Sequence, residues 1–134
     1  MHYLRIWSDA DGESHLDDVT LPEELAPSEP GVAPLVISEP LRVDRVHFVT
    51  VRADDQSPEW HTGPRRQLVT FLTGPVSIET SDGDRRELAP GSTVLVEDLA
   101  GRGHVTTHAP GDQRVLVIPV DPVEPVDTVE RDRT

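Results

Sequence analysis

Proline and glycine divide this chain into short runs, and that punctuation restricts its fold more than any other feature. The 134 residues include 13 Pro and 9 Gly. Several of the intervening runs alternate apolar and polar residues, which is typical of strands with one buried face. Turn signals such as Asp82-Gly83 and Pro90-Gly91 separate neighbouring runs. The pattern lacks a long helical period and favours an all-β sandwich or barrel.

The predicted strands are spread along the chain as far as residue 120. They are Tyr3–Trp7, His15–Leu21, Arg42–Arg52, Gln67–Leu72, Val76–Thr80, Arg85–Leu88, Thr93–Glu97, Val105–His108 and Arg114–Val120. Five prolines between residues 22 and 40 exclude a sheet ladder or helix through that stretch, which is predicted to be an ordered arm. We therefore expect N-terminal strands and an arm packing on the barrel or a partner (1–40), a barrel (41–120) and an acidic, disordered tail (121–134).

Composition excludes several classes of function. The formal net charge is −13, and all 12 basic residues are Arg, so neither nucleic acid nor an anionic membrane surface is an expected partner. Without Lys the chain cannot form a Schiff base, and without Cys it has no disulfide or thiolate ligand. It contains no apolar run long enough for a membrane span and no signal-peptide pattern. A cytoplasmic protein is the resulting expectation.

A segment after residue 60 carries a histidine and three further residues at informative spacings. These residues are His61, Gly63, Gln67 and Gly74. The spacing resembles the first motif of the cupin family, which is similar to His-x-His followed by Glu and then Gly. His61 and Gly74 match that motif. Gly63 stands where its second His is expected, and Gln67 stands where its Glu is expected.

A second histidine-containing segment follows a Pro90-Gly91 turn and a predicted strand. His104 takes the position of the His in the second cupin motif, and His108 stands where that motif has Asn. The resemblance covers roughly residues 40 to 120 and implies an antiparallel β jelly-roll barrel (a double-stranded β-helix) that holds one small ligand. Stand-alone cupins are often dimers, so the resemblance also implies a homodimer.

The resemblance implies a divalent metal, Fe, Mn, Ni or Zn, on His61, Gln67 and His104. Catalytic sites for such metals usually have three His or carboxylate ligands. Here an amide replaces a carboxylate and one His is absent, so we expect any metal to be held weakly unless another side chain replaces the lost ligand. The candidates for that replacement are His108, Glu97 and His47.

The strand period predicts which side chains share the pocket. Residues two apart in a strand lie on one face, so Gln67 is expected to point inward with Arg65 and Phe71. By the same rule His104, Thr106 and His108 share a face. Side chains predicted to bind substrate are Trp60, Phe71, His108 and Arg102.

These residues support three functions. The favoured one is a small-molecule enzyme that performs acid–base chemistry (isomerisation, cyclisation or lyase) with an optional metal, because imidazole titrates near neutrality. His61 or His104 would be the base, Gln67 would orient a carbonyl, and Arg65 or Arg102 would pair with an anionic group. The alternatives are a metal-dependent cupin dioxygenase and a cupin that binds a small ligand without turnover.

Overall fold

A computed structural model describes residues 1–55 and 57–120, and within them the chain is all-β, which confirms the predicted class. The strands are β1 (His2–Ser8), β2 (Ser14–Thr20), β3 (Glu23–Leu25), β4 (Val36–Ser38), β5 (His47–Arg52), β6 (Gln67–Phe71), β7 (Val76–Thr80), β8 (Arg85–Leu88), β9 (Thr93–Val96), β10 (His104–His108) and β11 (Asp112–Pro119). One 3₁₀ turn, Ala53–Asp55, follows β5. The predicted tail, 121–134, lies outside the described residues. No helix in the described part of the chain combines the length and hydrophobicity needed to cross a membrane.

The strands form three sheets. The largest has six strands in the order β2-β1-β9-β6-β11-β5, the second has the order β10-β7-β8, and β3 pairs with β4 alone. Most pairs are antiparallel, but β1 runs parallel to β9. This parallel pair attaches the N-terminal hairpin to the main sheet. Within the described residues the sheets do not close into a barrel.

The hydrophobic core lies between the six-stranded and three-stranded sheets. The buried residues of this cluster are Leu4, Ile6, Leu16, Phe71, Val94, Val96 and Val115 from the larger sheet, and Val76 and Ile78 from β7. Alternation along each strand explains the arrangement, since residues two apart face the same way. The opposite face of the larger sheet carries a smaller cluster of Tyr3, Leu95 and Val120.

The outer face of the larger sheet also carries a buried ion network. Glu97 accepts hydrogen bonds from Nε of Arg5 (2.5 Å) and Nε of Arg66 (2.7 Å). The three side chains are 3 to 6% exposed. Burial of Glu97 raises its pKa, but hydrogen bonds from Arg66 and Arg5 outweigh burial and leave it below its ordinary value. A paired, hydrogen-bonded carboxylate can therefore be accommodated beneath the surface.

The prediction that residues 22–40 contain no ladder is wrong. β3 and β4 pair antiparallel within this stretch, with Glu23 opposite Ser38. Both strands are three residues long and fit between the prolines, which flank them without occupying a ladder position. The following strand is also shorter than predicted, because β5 begins at His47 rather than Arg42.

Candidate functional site

A cavity of about 180 Å³ lies between the two larger sheets and is partly open to solvent. Its polar lining residues are His61, Gln67, His104, Thr106 and His108. The remaining lining is Ile6, Val49, Val51, Gly63, Pro64, Val69, Phe71, Ile78, Val94, Val96, Val115 and Val117. The structure therefore brings both motif histidines and Gln67 into one cavity with Phe71 and His108. That volume is sufficient for one small ligand.

His61 and His104 lie side by side, although 43 positions separate them in the sequence. Their backbones form an isolated antiparallel bridge. Each N–H donates to the carbonyl oxygen of the other residue, with N···O distances of 3.0 and 2.9 Å. The ring centroids are 4.6 Å apart and the ring planes are inclined at 56°. Gly103 permits this approach, because it has φ of 75° and a side chain there would overlap the backbone of His61.

His104 is oriented by a buried carboxylate. Its Nδ1 lies 2.6 Å from Oδ2 of Asp98, whose side chain is 0% exposed. A carboxylate is an acceptor, so Nδ1 carries the proton and Nε2 of the neutral ring keeps its lone pair. The other oxygen of Asp98, Oδ1, is buried without a hydrogen-bond partner among the described residues. Asp98 therefore contacts the ring through one oxygen, and its other oxygen has no hydrogen bond to the described residues.

His61 is held in the same tautomer by a different partner. Its Nδ1 lies 3.0 Å from the backbone oxygen of Glu59, so Nδ1–H donates, and in the neutral form of the ring Nε2 is the nitrogen with the free lone pair. Unlike His104, His61 is exposed. The two rings thus combine one buried and one accessible imidazole, each with Nε2 free of a hydrogen bond to the described residues.

β10 contributes three polar side chains to the cavity wall. His104, Thr106 and His108 occupy alternate positions of this strand and all line the cavity. The ring of His108 lies 6.0 Å from that of Phe71. Burial lowers the pKa of His108 below its ordinary 6.5, so this imidazole is neutral at physiological pH.

Gly63 explains why a second motif histidine is absent. Gly63 is buried, and a Cβ atom placed on it would overlap Cγ1 of Val96. Leu99 and Asp98 also approach that point, at 3.4 and 3.6 Å. The space that a His side chain would need is therefore filled by the neighbouring strand and by the loop after it.

Three predicted contacts lie outside the cavity. Arg65 and Trp60 are exposed and do not line it, and Arg102 is exposed and forms an ion pair with Glu13. Arg65 was expected to face the same way as Gln67, two residues later. It does not, because β6 begins at Gln67 and the alternation of a strand does not apply to the segment before it. Among the described residues, no arginine lines this cavity.

Two of the side chains proposed to replace the missing metal ligand, Glu97 and His47, also lie outside the cavity. Glu97 lies on the outer face of the sheet with Arg5 and Arg66, and His47 is exposed at the start of β5. In the described part of the chain no group of three or more His, Cys, Asp or Glu side chains could hold a metal ion. Two imidazoles and one amide oxygen are a poor match for a catalytic first-row metal.

Sequence reasoning missed one residue of the site, Asp98. Strand alternation predicted that Thr106 shares a face with His104 and His108, and Thr106 lines the cavity with them. Asp98 had a weaker signal, namely a carboxylate directly after a strongly apolar strand and six residues before a motif histidine. Comparison with known proteins adds no further site residue, because no family model, curated protein or solved structure matches the chain.

Proposed function

We propose that this chain is a small-molecule enzyme of the cupin type, in which His61 and His104 transfer protons to and from a substrate in the intersheet cavity. The observation that carries the proposal is the pairing of two imidazoles at 4.6 Å with both Nδ1 atoms already hydrogen bonded. In the neutral form of each ring Nε2 is the nitrogen that accepts a proton, and imidazole does so efficiently near neutral pH.

The cupin assignment is supported by position as well as by spacing. Two facing sheets enclose a cavity, and the motif residues His61, Gln67 and His104 all line it. The bridge between His61 and His104 joins the two motif segments. We propose that the two sheets correspond to the walls of a jelly-roll barrel.

The proposed chemistry begins with a substrate that carries a C–H bond next to a carbonyl. Nε2 of His104 takes the proton, and the electron pair of the broken C–H bond moves to the carbonyl oxygen. Asp98 stabilises the imidazolium that forms, and the amide N–H of Gln67 donates to the developing oxyanion. Nε2 of His61 accepts this proton from the His104 imidazolium and delivers it to a different carbon of an extended enolate, which restores both neutral rings and completes an isomerisation. In a lyase reaction a β-substituent leaves with its bonding electron pair as the carbonyl re-forms, and it takes the proton from His104.

A metal-dependent dioxygenase is the less favoured function. It would require a metal on His61, His104 and Gln67, a set with two imidazoles and no carboxylate. Because Gly63 has no space for another ligand side chain, we assign no step to a metal. Titration of the purified protein with Fe, Mn, Ni and Zn, followed by elemental analysis, tests this choice. Stoichiometric retention of one of these metals would favour the dioxygenase.

The proposed assembly is a homodimer. Large apolar side chains of the arm and of the edge strand β5 are exposed, among them Leu25 (72%), Ile37 (53%) and Phe48 (86%). Exposed apolar side chains that gather into one surface mark an interaction site. Among the described strands β5 pairs with β11 alone, so its other edge is open to a partner strand. Sedimentation equilibrium checks the assembly, and a monomer at micromolar concentration would contradict it.

The proton-transfer step is tested by hydrogen exchange in D₂O. A panel of small ketones and aldehydes is incubated with the protein, and loss of the α-proton signal is followed by NMR. General acid–base catalysis typically contributes about 10²- to 10⁴-fold, so we expect His104→Asn to slow exchange by about that factor. His61→Asn is expected to slow it as well, since the second imidazole returns the proton.

Two controls make the result specific. His2→Asn alters an exposed histidine outside the cavity and should leave exchange unchanged. The double variant at His61 and His104 gives the background due to buffer and surface groups. If wild-type protein exchanges every member of the panel no faster than this double variant, the proposed proton transfer is wrong.

A further inference from the structure

We infer that the cavity selects an uncharged ligand with an apolar, ring-sized body that carries a carbonyl or hydroxyl oxygen. This inference rests on the proposed function, because it names the substrate class of the same site. It follows from the chemistry of the two cavity walls, from the absence of charged side chains on them, and from the cavity volume.

The wall formed by the six-stranded sheet is almost entirely apolar. Gln67 is its one polar side chain among the described lining residues. The others are Ile6, Val49, Val51, Val69, Phe71, Val94, Val96, Val115 and Val117. A ligand that lies against this wall must present a hydrocarbon surface, since an unpaired polar group there would lose its hydrogen bonds to water.

The opposite wall presents a line of hydrogen-bonding side chains that are neither carboxylates nor guanidinium groups. His104, Thr106 and His108 follow one another at alternate positions of β10, which places the first and last about 13 Å apart along the strand. His61 adjoins the His104 end of this line. A ligand with oxygen atoms along one edge could bond to these side chains while its body contacts the apolar wall.

Charged ligands do not fit this lining. No Asp, Glu or Arg is among the described residues that line the cavity, and Arg65 and Arg102 lie outside it. A carboxylate would therefore have no guanidinium partner, and the net charge of −13 opposes its approach. A cation would find no carboxylate on the cavity surface. In either case the charge would lose hydration without gaining a carboxylate or guanidinium partner.

The volume limits the size of the buried part of the ligand. An apolar cavity of about 150 Å³ holds benzene, so about 180 Å³ holds a six-membered ring with a small substituent. Because the cavity is partly open, a longer substituent could extend into solvent near His61, which is exposed. The geometry therefore points to compact cyclic or aryl ketones and phenols rather than sugars, organic acids or amines.

Three probes of nearly equal size test the inference by calorimetry. Acetophenone is neutral, benzoate is an anion and benzylammonium is a cation, and all share the same ring. At about pH 8, where unperturbed imidazole is neutral, we expect acetophenone to bind and each charged probe to bind at least about tenfold more weakly. Equal or tighter binding of benzoate or benzylammonium overturns the inference, as does the absence of acetophenone binding.

A pair of variants locates the binding. Val51→Phe adds bulk to a half-buried cavity residue on an edge strand, and it should reduce acetophenone affinity by about tenfold or more. Thr50→Phe is the matched control, because Thr50 lies next along β5 but is exposed and outside the cavity lining. Unfolding transitions of both variants show whether the fold is retained. An equal loss of affinity in the two folded variants would overturn the assignment to this cavity.

The binding measurements test the substrate class, the exchange measurements test proton transfer, and either one can fail without the other. Acetophenone that binds without exchange of its methyl protons in D₂O leaves the substrate class intact and contradicts proton transfer. Exchange of a charged carbonyl compound, together with stronger binding of benzoate, supports proton transfer and overturns the substrate class. His104→Asn distinguishes the two further, since it should slow exchange much more than it weakens acetophenone binding.

Discussion

Asp98 accepts a hydrogen bond of 2.6 Å from Nδ1 of His104, and this contact determines which ring nitrogen can act in the cavity. The Asp98 side chain is 0% exposed and that of His104 is 5% exposed. Solvent therefore competes little with the contact, and the buried carboxylate favours the ring tautomer that is protonated on Nδ1.

Replacement of Asp98 by Asn should remove the preference of the His104 ring for the tautomer protonated on Nδ1. Because the Asn side chain can present either its oxygen or its NH₂ group to Nδ1, we expect a mixture of tautomers in place of one. ¹⁵N NMR of the His104 ring measures the ratio directly. The exchange rate in D₂O should fall by about 10²-fold. Asp112→Asn, at an exposed position, is the control. An unchanged tautomer and rate would reduce Asp98 to a structural role.

The sequence predicted the existence of most strands because local signals determine them. Asp82-Gly83 and Pro90-Gly91 mark turns, and Gly83 and Gly91 indeed have φ of 92° and 91°. Alternation placed Gln67 and Phe71 on one face, where both line the cavity. These features depend on neighbours in the chain, so they can be read without knowledge of the tertiary structure.

Side-chain partners were less predictable because they depend on the pairing of distant strands. Glu97 and Asp98 are adjacent, yet Glu97 bonds Arg5 and Arg66 on the outer face while Asp98 bonds His104 beneath the cavity. Glu97 lies on the same side as Leu95 and Asp98 on the same side as Val96, but alternation does not name the partner that each carboxylate meets. The pairing of β1 with β9 brings Arg5 to Glu97, and no local pattern encodes that pairing.

Gly63→Ala should destabilise the fold, because the new methyl group would overlap Cγ1 of Val96. Overpacking of this kind typically costs about 1–3 kcal/mol, and urea unfolding measures the change. The double variant Gly63→Ala/Val96→Ala tests the cause. If the overlap is responsible, Gly63→Ala should cost less in the Val96→Ala background than in the wild type. Equal costs in both backgrounds would contradict the proposed contact.

Glu97→Gln should be strongly destabilising, because it removes the charge that compensates two buried arginines. Breaking a buried ion pair from one side typically costs about 3–5 kcal/mol. Glu87→Gln provides the control, since Glu87 pairs with Arg85 on the surface, where both are more than half exposed; its effect should be much smaller. Similar losses of unfolding free energy in the two variants would contradict the importance of burial.

His15 joins two turns through both of its ring nitrogens. Nε2 lies 2.7 Å from Asp9 and Nδ1 lies 3.0 Å from Asp82, and the ring stacks on Trp7 at 4.7 Å. Donation to both carboxylates requires the doubly protonated ring. The hydrogen bond to Asp9, reinforced by Asp82, raises the pKa of His15 above its ordinary 6.5.

The pKa values of the two carboxylates, Asp9 and Asp82, are lowered rather than raised. The hydrogen bond from His15 lowers the pKa of Asp9 below its ordinary 3.8. Burial raises the pKa of Asp82, but hydrogen bonds from Thr80, the Asp84 backbone and His15 outweigh it and leave the value lowered. Their stabilising contribution is thus present above pH 3.8 and is lost as the pH falls through the lowered values.

The His15 contact should therefore stabilise the fold most between pH 3.8 and 6.5. A raised imidazole pKa contributes fully below the unfolded value of 6.5, and the contribution disappears as the pH rises through the folded value. We expect the difference in unfolding free energy between wild type and His15→Gln to be larger at about pH 5.5 than at about pH 8.5. His47→Gln, at an exposed position, is the control and should show no such dependence. A difference that grows towards alkaline pH would contradict the doubly protonated ring.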